Sequence, residues 1–238
     1  MGSIIEANNI DKVFRSGNED FYALKDVSVK IGEGRLVILK GRSGSGKTTL
    51  LNILSSLDMP TRGKVDFDGK DIVHMNDKEK GFLRSRQTGF VFQSVALIPI
   101  MNSYENVEFA LRLAGWKKHR EERVKEVLEL VGMSARINHM PGQMSGGEQQ
   151  RIAIARAIAH KPKVLFADEP TAALDTANGH KIMGLFRELI EKEGITVVMT
   201  THDPGLMELG DDVYELLDGR VINDFSNDLE DKESDKNE

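Results

Sequence analysis

Short runs of apolar residues recur along the chain and predict buried β-strands. The clearest runs are residues 36–39, 90–92, 164–167 and 196–199. Apolar positions with a helical period separate several of these runs, as at Val124, Val127, Leu128 and Val131. Because buried strands that alternate with helices pair in parallel through crossover connections, the pattern predicts an α/β fold with a parallel sheet.

A second pattern predicts a smaller antiparallel unit. Residues 65–69 alternate apolar and polar side chains and end in Asp-Gly, which is a hairpin signal. A helix-rich stretch follows, and we interpret it as a helical lobe at about 95–160 inserted into the sheet domain. We therefore expect one folded domain over residues 1–225. Residues 226–238 are nearly all polar and mostly acidic, so we expect this tail to be disordered.

The composition narrows the functional classes. The 238 residues include no cysteine, which excludes disulfides, thiol catalysis and cysteine-based zinc sites. The net charge is −6 and no basic stripe stands out, so nucleic acid is not an expected partner. The longest apolar stretch, residues 95–101, contains a proline and is too short to cross a bilayer, so we expect no direct membrane insertion. The first residues lack the basic and apolar regions of a signal peptide. The lack of cysteine favours a cytoplasmic location.

Residues 41–48 match the phosphate-binding pattern G-x-x-x-x-G-K-[ST] between a predicted strand and a helix candidate. Its glycines allow backbone N–H groups to surround an anion, and the helix N-terminus adds a positive dipole end. Lys47 can reach the β- and γ-phosphates of a nucleotide, and the Thr48 hydroxyl can bind Mg²⁺. The predicted nucleotide-binding residues are Gly41, Arg42, Ser43, Gly44, Ser45, Gly46, Lys47, Thr48 and Thr49.

Two carboxylates follow the apolar run 164–167. Asp168 and Glu169 come at the predicted carboxyl end of a buried strand, where α/β folds bind ligands. Asp168 can hold Mg²⁺, and Glu169 can polarise an attacking water as a general base. The alternative is a charged strand end that enters a loop, and the nearby phosphate loop favours the catalytic interpretation.

Residues 144–150, Met-Ser-Gly-Gly-Glu-Gln-Gln, resemble the L-S-G-G-x-Q-x signature of ABC ATPases, with Met144 in place of leucine. Ser145, Gly146 and Gly147 precede a helix candidate and make a second helix end suited to phosphate. The resemblance extends from residue 4 to about residue 223. It implies the ABC ATPase fold, a P-loop NTPase parallel-sheet core with a small antiparallel β subdomain and an inserted helical lobe.

The resemblance also implies roles for single residues. Gln93 resembles the Q-loop glutamine that contacts Mg²⁺ and the attacking water, and Asp168 followed by Glu169 resembles a Walker B aspartate and a catalytic glutamate. His202 resembles the switch histidine that contacts the γ-phosphate. The expected catalytic residues are thus Glu169, His202, Gln93 and Lys47, and the expected Mg²⁺ ligands are Thr48, Gln93 and Asp168.

Two further positions complete the resemblance. Phe14 occupies the A-loop position, where an aromatic ring, usually tyrosine in this family, stacks on the adenine of ATP. Tyr22 is a second candidate for that role and ranks lower. Ala173-Leu174-Asp175 resembles the D-loop, so Asp175 is expected near the nucleotide of an ATP-dependent homodimer, together with the Ser145–Gly147 segment.

Smaller motifs at 14–17, 22–25, 57–61 and 105–107 resemble the group that serves lipoprotein release, macrolide export and antimicrobial-peptide resistance. The resemblance implies an ATP-hydrolysing subunit that powers a transmembrane permease on a separate chain, at the cytoplasmic face of the membrane. The alternative is a cell-division ABC ATPase with a similar membrane partner. A translation factor or DNA-repair ATPase is disfavoured by the single cassette and the lack of a coiled-coil insertion. A small GTPase or kinase is disfavoured by the signature and by the absence of Asn-Lys-x-Asp.

The segment 94–100 is unusually apolar for a loop after a candidate catalytic residue. It has two interpretations, a groove that receives a short cytoplasmic helix of the permease, or part of the core of the helical lobe.

Overall fold

The computed structural model describes residues 2–17, 19–172 and 174–226. Its strands are β1 (Ser3–Ser16), β2 (Glu19–Gly32), β3 (Leu36–Lys40), β4 (Arg62–Phe67), β5 (Lys70–Asp71), β6 (Thr88–Val91), β7 (Val164–Ala167), β8 (Thr196–Thr201), β9 (Asp212–Leu217) and β10 (Arg220–Ser226). Its α-helices are α1 (Lys47–Leu54), α2 (Asp77–Arg86), α3 (Ser103–Leu113), α4 (Arg120–Leu130), α5 (Gly146–Ile158), α6 (Thr176–Glu193) and α7 (Pro204–Met207). From residue 227 on, the predicted tail lies outside the described residues.

The larger sheet is the parallel sheet that the apolar runs predict. Its strand order is β10-β9-β3-β8-β7-β6, and β9, β3, β8, β7 and β6 pair in parallel. β10 pairs antiparallel with β9 at one edge. Strand β7 is apolar at every position because both of its faces are buried. Val164 and Phe166 belong to one hydrophobic cluster, and Leu165 and Ala167 belong to the other. The predicted fold class is confirmed.

The smaller sheet is antiparallel, with the order β2-β1-β4-β5. The Asp-Gly signal forms the two-residue turn between β4 and β5, where Phe67 pairs with Lys70. Asp68 and Gly69 have φ values of +51° and +71°, as a turn that matches the twist of a hairpin requires. The predicted hairpin therefore supplies β4 and β5 of the antiparallel unit, and β1 and β2 complete the sheet.

Helices α3, α4 and α5 come between β6 and β7 in the chain and pack on one face of the larger sheet. Their buried residues, such as Val107, Val127 and Ile154, belong to the same hydrophobic cluster as Leu165 of β7.

The carboxyl ends of β3, β6, β7 and β8 lie at one edge of the sheet, because these strands are parallel. No helix in the described stretches is long and apolar enough to span a bilayer.

Candidate nucleotide-binding site

The loop between β3 and α1 contains the phosphate-binding motif, and close backbone contacts require its glycines. Gly46 has a φ of +104°, and a Cβ atom there would lie 2.7 Å from the carbonyl oxygen of Ala23. Gly41, with a φ of +151°, lies against the carbonyl of Leu216. Any side chain at these positions would displace backbone. The loop leads into the N-terminus of α1, where unpaired N–H groups favour an anion.

Lys47 is the first residue of α1, and its side chain folds back over this loop. The residue is buried, and its ammonium donates to the carbonyl oxygens of Gly41 and Arg42 at 2.9 and 3.1 Å. Both acceptors are neutral, so these contacts do not compensate the positive charge. The charge lies where the phosphates of a nucleotide would enter the loop.

Asp168 joins the end of β7 to the start of α1. Its Oδ1 atom accepts hydrogen bonds from the hydroxyls of Thr48 at 3.0 Å and Thr200 at 2.7 Å, and the residue is buried. A carboxylate and a hydroxyl in contact are the oxygen ligands that Mg²⁺ prefers, so the residues present fit the metal that the resemblance implies. Thr200, at the end of β8, also accepts the N–H of Glu169 at 2.8 Å.

Gln93, Glu169 and His202 come from three different strand ends and meet at one carboxylate oxygen. Gln93 Nε2 donates to Oε2 of Glu169 at 3.2 Å, and His202 Nδ1 lies 3.5 Å from the same atom. The backbone of Glu169 has a φ of +43°, which is unusual for a residue with a side chain and is often found at functional positions. The Glu169 side chain is 19% exposed, so a water molecule or a phosphate can reach it.

These groups border one open cleft of about 650 Å³. Its lining residues are Phe14, Phe21, Ala23, Arg42, Ser43, Gly44, Gly46, Lys47, Thr48, Thr49, Gln93, Glu169 and His202. Of the predicted residues in the phosphate loop and at the end of β7, Gly41, Ser45 and Asp168 do not line the cleft. Asp168 is connected to the cleft by its hydrogen bond with Thr48, which does line it. The structure therefore brings the phosphate loop and the three strand-end residues into a single site.

The aromatic end of the cleft contains one residue that the sequence analysis missed. Phe21 on β2 pairs directly with Phe14 on β1, and both rings line the cleft. Tyr22, the second candidate for the adenine position, pairs with Val13 and lines a separate pocket. Alternation of side chains along a strand would have indicated Phe21, but only once the register of the hairpin was known.

The signature residues lie outside the cleft of their own chain. Ser145 caps the N-terminus of α5, and its side chain accepts the N–H of Glu148. Glu148 also forms an ion pair with Arg136 at 2.7 Å, and this contact with the bonds from Ser145 lowers the pKa of Glu148 to about 2. Gly147, in the first turn of α5, lies beside Leu174, whose neighbour Ala173 is outside the described residues.

Asp175 caps α6 in the same region of the surface. Its side chain accepts the N–H of Asn178 at 2.8 Å, and this bond is the main cause of its lowered pKa. A Cβ atom at Gly147 would lie 3.9 Å from Asn178, so the starts of α5 and α6 are neighbours. None of the described signature residues, nor Asp175, lines the cleft.

A model of the ABC transporter family matches residues 24–172 of the chain. The chain belongs to the ABC transporter family. It is 43% identical to the lipoprotein-releasing system ATP-binding protein LolD of Aquifex aeolicus, over 95% of this chain and 99% of that protein. It is 42% identical to the macrolide export ATP-binding/permease protein MacB of Syntrophobacter fumaroxidans, over 92% of this chain and 31% of that larger protein.

A solved structure of an ABC ATP-binding cassette from Methanocaldococcus jannaschii superposes with a TM-score of 0.88 at 41% identity. The match covers 94% of this chain and 99% of the cassette, which is described as a dimer in a post-hydrolysis state bound to ADP and Pi. These relationships confirm the predicted resemblance. This ABC transporter chain is an ATP-binding subunit.

The apolar segment after Gln93 in this ABC subunit contains both buried residues, as core packing predicts, and exposed residues, as a partner groove predicts. Leu97 is 8% exposed and belongs to the hydrophobic cluster of the helical lobe. Ile98 is half-buried, and its N–H donates to Asn106 Oδ1 at 2.9 Å. Ile100 is 83% exposed, and nearby in sequence Phe92 is 42% exposed. Core packing explains Leu97, whereas Ile100 is available to a partner.

Proposed function

We propose that this subunit hydrolyses Mg²⁺-bound ATP as a head-to-tail homodimer and thereby drives a transmembrane permease on a separate chain, at the cytoplasmic face of the membrane. The observation that carries the proposal is the single cleft that unites the phosphate loop, the Thr48–Asp168 contact and the Gln93–Glu169–His202 cluster. Residues 1–225 form the ATPase domain in this proposal, with the helical lobe at about 95–160.

The cleft holds the nucleotide by its two ends. Lys47 exchanges its hydrogen bonds to the carbonyls of Gly41 and Arg42 for contacts with the β- and γ-phosphates. The N–H groups of the loop and of α1 surround these phosphates. At the other end, Phe14 and Phe21 offer exposed aromatic surface on which adenine stacks. The two ends fix the position of the γ-phosphate beside Glu169.

Thr48, Gln93 and Asp168 hold Mg²⁺ in this proposal, Asp168 directly or through water. When bound there, Mg²⁺ would supply positive charge that offsets the negative charge of the phosphates. The contact between Thr48 and Asp168 already aligns two of these oxygen ligands.

Glu169 activates the attacking water as a general base. Its carboxylate accepts a proton while the water oxygen bonds to the γ-phosphorus, and the bond from that phosphorus to the bridging oxygen of ADP breaks. Gln93 orients the water and the carboxylate, because its amide already donates to Glu169. His202, 64% exposed, is oriented by Glu169 and donates to the γ-phosphate.

The signature and Asp175 complete the site from a second copy of the chain. Ser145, Gly146 and Gly147 present a helix N-terminus at the surface, away from their own cleft. Two-fold symmetry makes one such interface serve two equivalent sites. The dimeric state of the Methanocaldococcus jannaschii cassette with ADP and Pi supports this arrangement.

A membrane partner follows from the names of the relatives. LolD belongs to a lipoprotein-releasing system, and MacB combines ATP-binding and permease functions in one protein. LolD is named as the ATP-binding protein of its system, and this supports a permease on another polypeptide. Exposed Ile100 and Phe92 offer apolar contacts for a cytoplasmic helix of that permease.

The test measures phosphate release by the purified chain with Mg²⁺ and with EDTA. We expect slow, Mg²⁺-dependent hydrolysis of ATP that Lys47→Ala abolishes, because the buried cation that binds the phosphates is lost. Glu169→Gln should bind ATP and lose turnover, and it should sediment as a dimer only with ATP. Turnover at the wild-type rate in Lys47→Ala would contradict the assignment of the site. A Glu169→Gln chain that stays monomeric at saturating ATP would contradict the dimer.

A further inference from the structure

The signature serine already has a partner for its only hydroxyl hydrogen. Ser145 Oγ donates to Oε2 of Glu148 at 3.0 Å, and the Ser145 N–H donates to the same oxygen at 2.9 Å. The other carboxylate oxygen, Oε1, accepts from Arg136 Nε at 2.7 Å. Glu148 is thus held over the N-terminus of α5 by three donors.

The hydroxyl donation goes beyond what capping the helix requires. In a capping box, the serine oxygen accepts the N–H of the third helical residue, and that residue's side chain accepts the serine N–H. Both bonds are present here, and glutamine makes them as well as glutamate does. The bond from the Ser145 hydroxyl to Glu148 and the Arg136 ion pair are additional contacts. The negative charge of the carboxylate strengthens the first and is required for the second.

The proposed dimer places a second acceptor beside Ser145. A serine hydroxyl has one hydrogen to donate, so Ser145 cannot bond to Glu148 and to a γ-phosphate at once. The carboxylate is also negative, as is the incoming triphosphate, and like charges brought together at an interface oppose association. Closure of the dimer therefore exchanges one charged acceptor of Ser145 for another.

We propose that Glu148 is a positioning residue that holds the Ser145 hydroxyl in the open subunit and competes for it with the γ-phosphate of the ATP bound by the partner subunit. The inference rests on the proposed ATP-dependent dimer and adds the contact that limits its affinity. Once the γ-phosphate has been cleaved and has left, Glu148 recovers the hydroxyl, which favours the open state. The competition therefore acts on both closing and opening.

The experiment measures ATP-dependent dimerisation in chains that also carry Glu169→Gln, so that hydrolysis does not interfere. Glu148→Gln keeps the cap and replaces the charged acceptor with a neutral one. We expect it to lower the dissociation constant of the dimer roughly tenfold in sedimentation velocity, since a charge-assisted hydrogen bond is about twice as strong as a neutral one and each dimer has two. Arg136→Gln should raise the constant, because it leaves Glu148 negative and without its cation.

Two controls separate competition from net charge. Glu121→Gln on α4 removes a different paired carboxylate, an exposed one whose partner is Lys125 at 2.7 Å, and should leave the dimer unchanged. The double variant Arg136→Gln with Glu148→Gln keeps the parent's local net charge. If Glu148 competes for the hydroxyl, this double variant still dimerises more tightly than the parent.

Three results would overturn the proposal. The first is a Glu148→Gln dimer no tighter than that of Glu121→Gln, and the second is a double variant equal to the parent, which would reduce the effect to net charge. Both would leave the proposed dimer intact. The third is the absence of any ATP-dependent dimer in the parent, which would remove the proposed dimer itself. Thermal unfolding of each chain without ATP verifies that the variants are folded.

Discussion

Phe14 and Phe21 face each other directly across the β1–β2 hairpin, and both rings line the candidate nucleotide cleft. They are 45% and 61% exposed, which leaves apolar surface open to a base. The ammonium of Lys12 lies over the Phe14 ring, 5.0 Å from its centroid, and is held by Asp58 and the carbonyl of Met59. With the cation on one face of the ring, adenine is expected to stack on the other face.

We expect Phe14→Ala and Phe21→Ala each to weaken ATP binding, by about 1–3 kcal/mol if each ring stacks on the base. Tyr22→Ala is the matched control, because Tyr22 is 48% exposed on the same hairpin but lines a different pocket. Titration with ATP and with inorganic tripolyphosphate separates base contacts from phosphate contacts, since only ATP binding should change. Weaker ATP binding by Tyr22→Ala with normal binding by Phe14→Ala would reverse the assignment.

The position of Phe21 shows where prediction from the sequence stopped. The phosphate loop, the Asp168–Glu169 strand end and the Asp-Gly turn could be predicted because each depends on a few consecutive residues. Which aromatic ring of the hairpin faces the cleft depends on the pairing of two strands. The β1–β2 pairing shifts register between Lys12 and Val13, and no local pattern fixes that shift.

The same limit applies to contacts between distant segments. The sequence assigned Gln93, Glu169 and His202 to one site by resemblance, while their meeting at Oε2 of Glu169 depends on neighbouring strands in the sheet. The burial of Leu97 could not be read from its apolar neighbours, because the segment 94–100 contains both buried and exposed apolar residues. Only packing of the helical lobe separates Leu97 from Ile100.

Ile100→Glu should uncouple the subunit from its permease. Its side chain is exposed, so the substitution spares folding and basal ATPase activity but puts a charge on the apolar contact surface. The measurement is ATPase activity with and without the co-purified permease in detergent. Ile222→Glu is the matched control, because Ile222 is an exposed isoleucine on β10, at the opposite edge of the sheet from β6. Full stimulation of Ile100→Glu by the permease would contradict the docking surface.

Leu97→Glu should instead destabilise the fold, because it places a carboxylate in the core of the lobe. The cost of burying an unpaired charge is expected to lower the free energy of unfolding by several kcal/mol. Thermal unfolding measures the effect directly. A Leu97→Glu chain with wild-type stability would return this residue to the docking surface.

His160 should make stability depend on pH in the mildly acidic range. Burial lowers its pKa from the ordinary value of 6.5, although the carbonyl of Thr88, 3.0 Å from Nε2, opposes that effect. Below pH 6.5 the unfolded chain takes up a proton that the folded chain does not, so stability falls as the pH drops toward the folded pKa. Above pH 6.5 the ring is neutral in both the folded and the unfolded chain, so its protonation no longer lowers the free energy of unfolding.

The comparison variant for this effect is His160→Gln, whose amide can donate to Thr88 but does not titrate. Urea unfolding of both chains at pH 7.5 and pH 5.5 gives the free energies. The wild-type chain should lose more stability between the two pH values than the variant does. Equal losses would show that His160 takes no part in the pH dependence.

The composite site can be tested by mixing two inactive chains. Lys47→Ala removes the phosphate cation but leaves the signature intact, and Ser145→Arg does the reverse. In a mixed dimer, the intact loop of one chain meets the intact signature of the other, so one complete site is restored. In an equal mixture about half of the dimers are mixed, so ATPase activity should reach about a quarter of the wild-type value.

The recovered activity should also fall steeply on dilution, because it belongs to a dimer, while ATP binding by the Ser145→Arg monomer should persist. If each chain instead formed its complete site from its own residues, mixing would restore nothing, since every chain lacks one essential group. Recovery of full activity would be equally inconsistent, because at most one of the two sites in a mixed dimer is complete. The geometry favours the partial result: Ser145 lies at the start of α5, outside the cleft that contains Lys47 of the same chain.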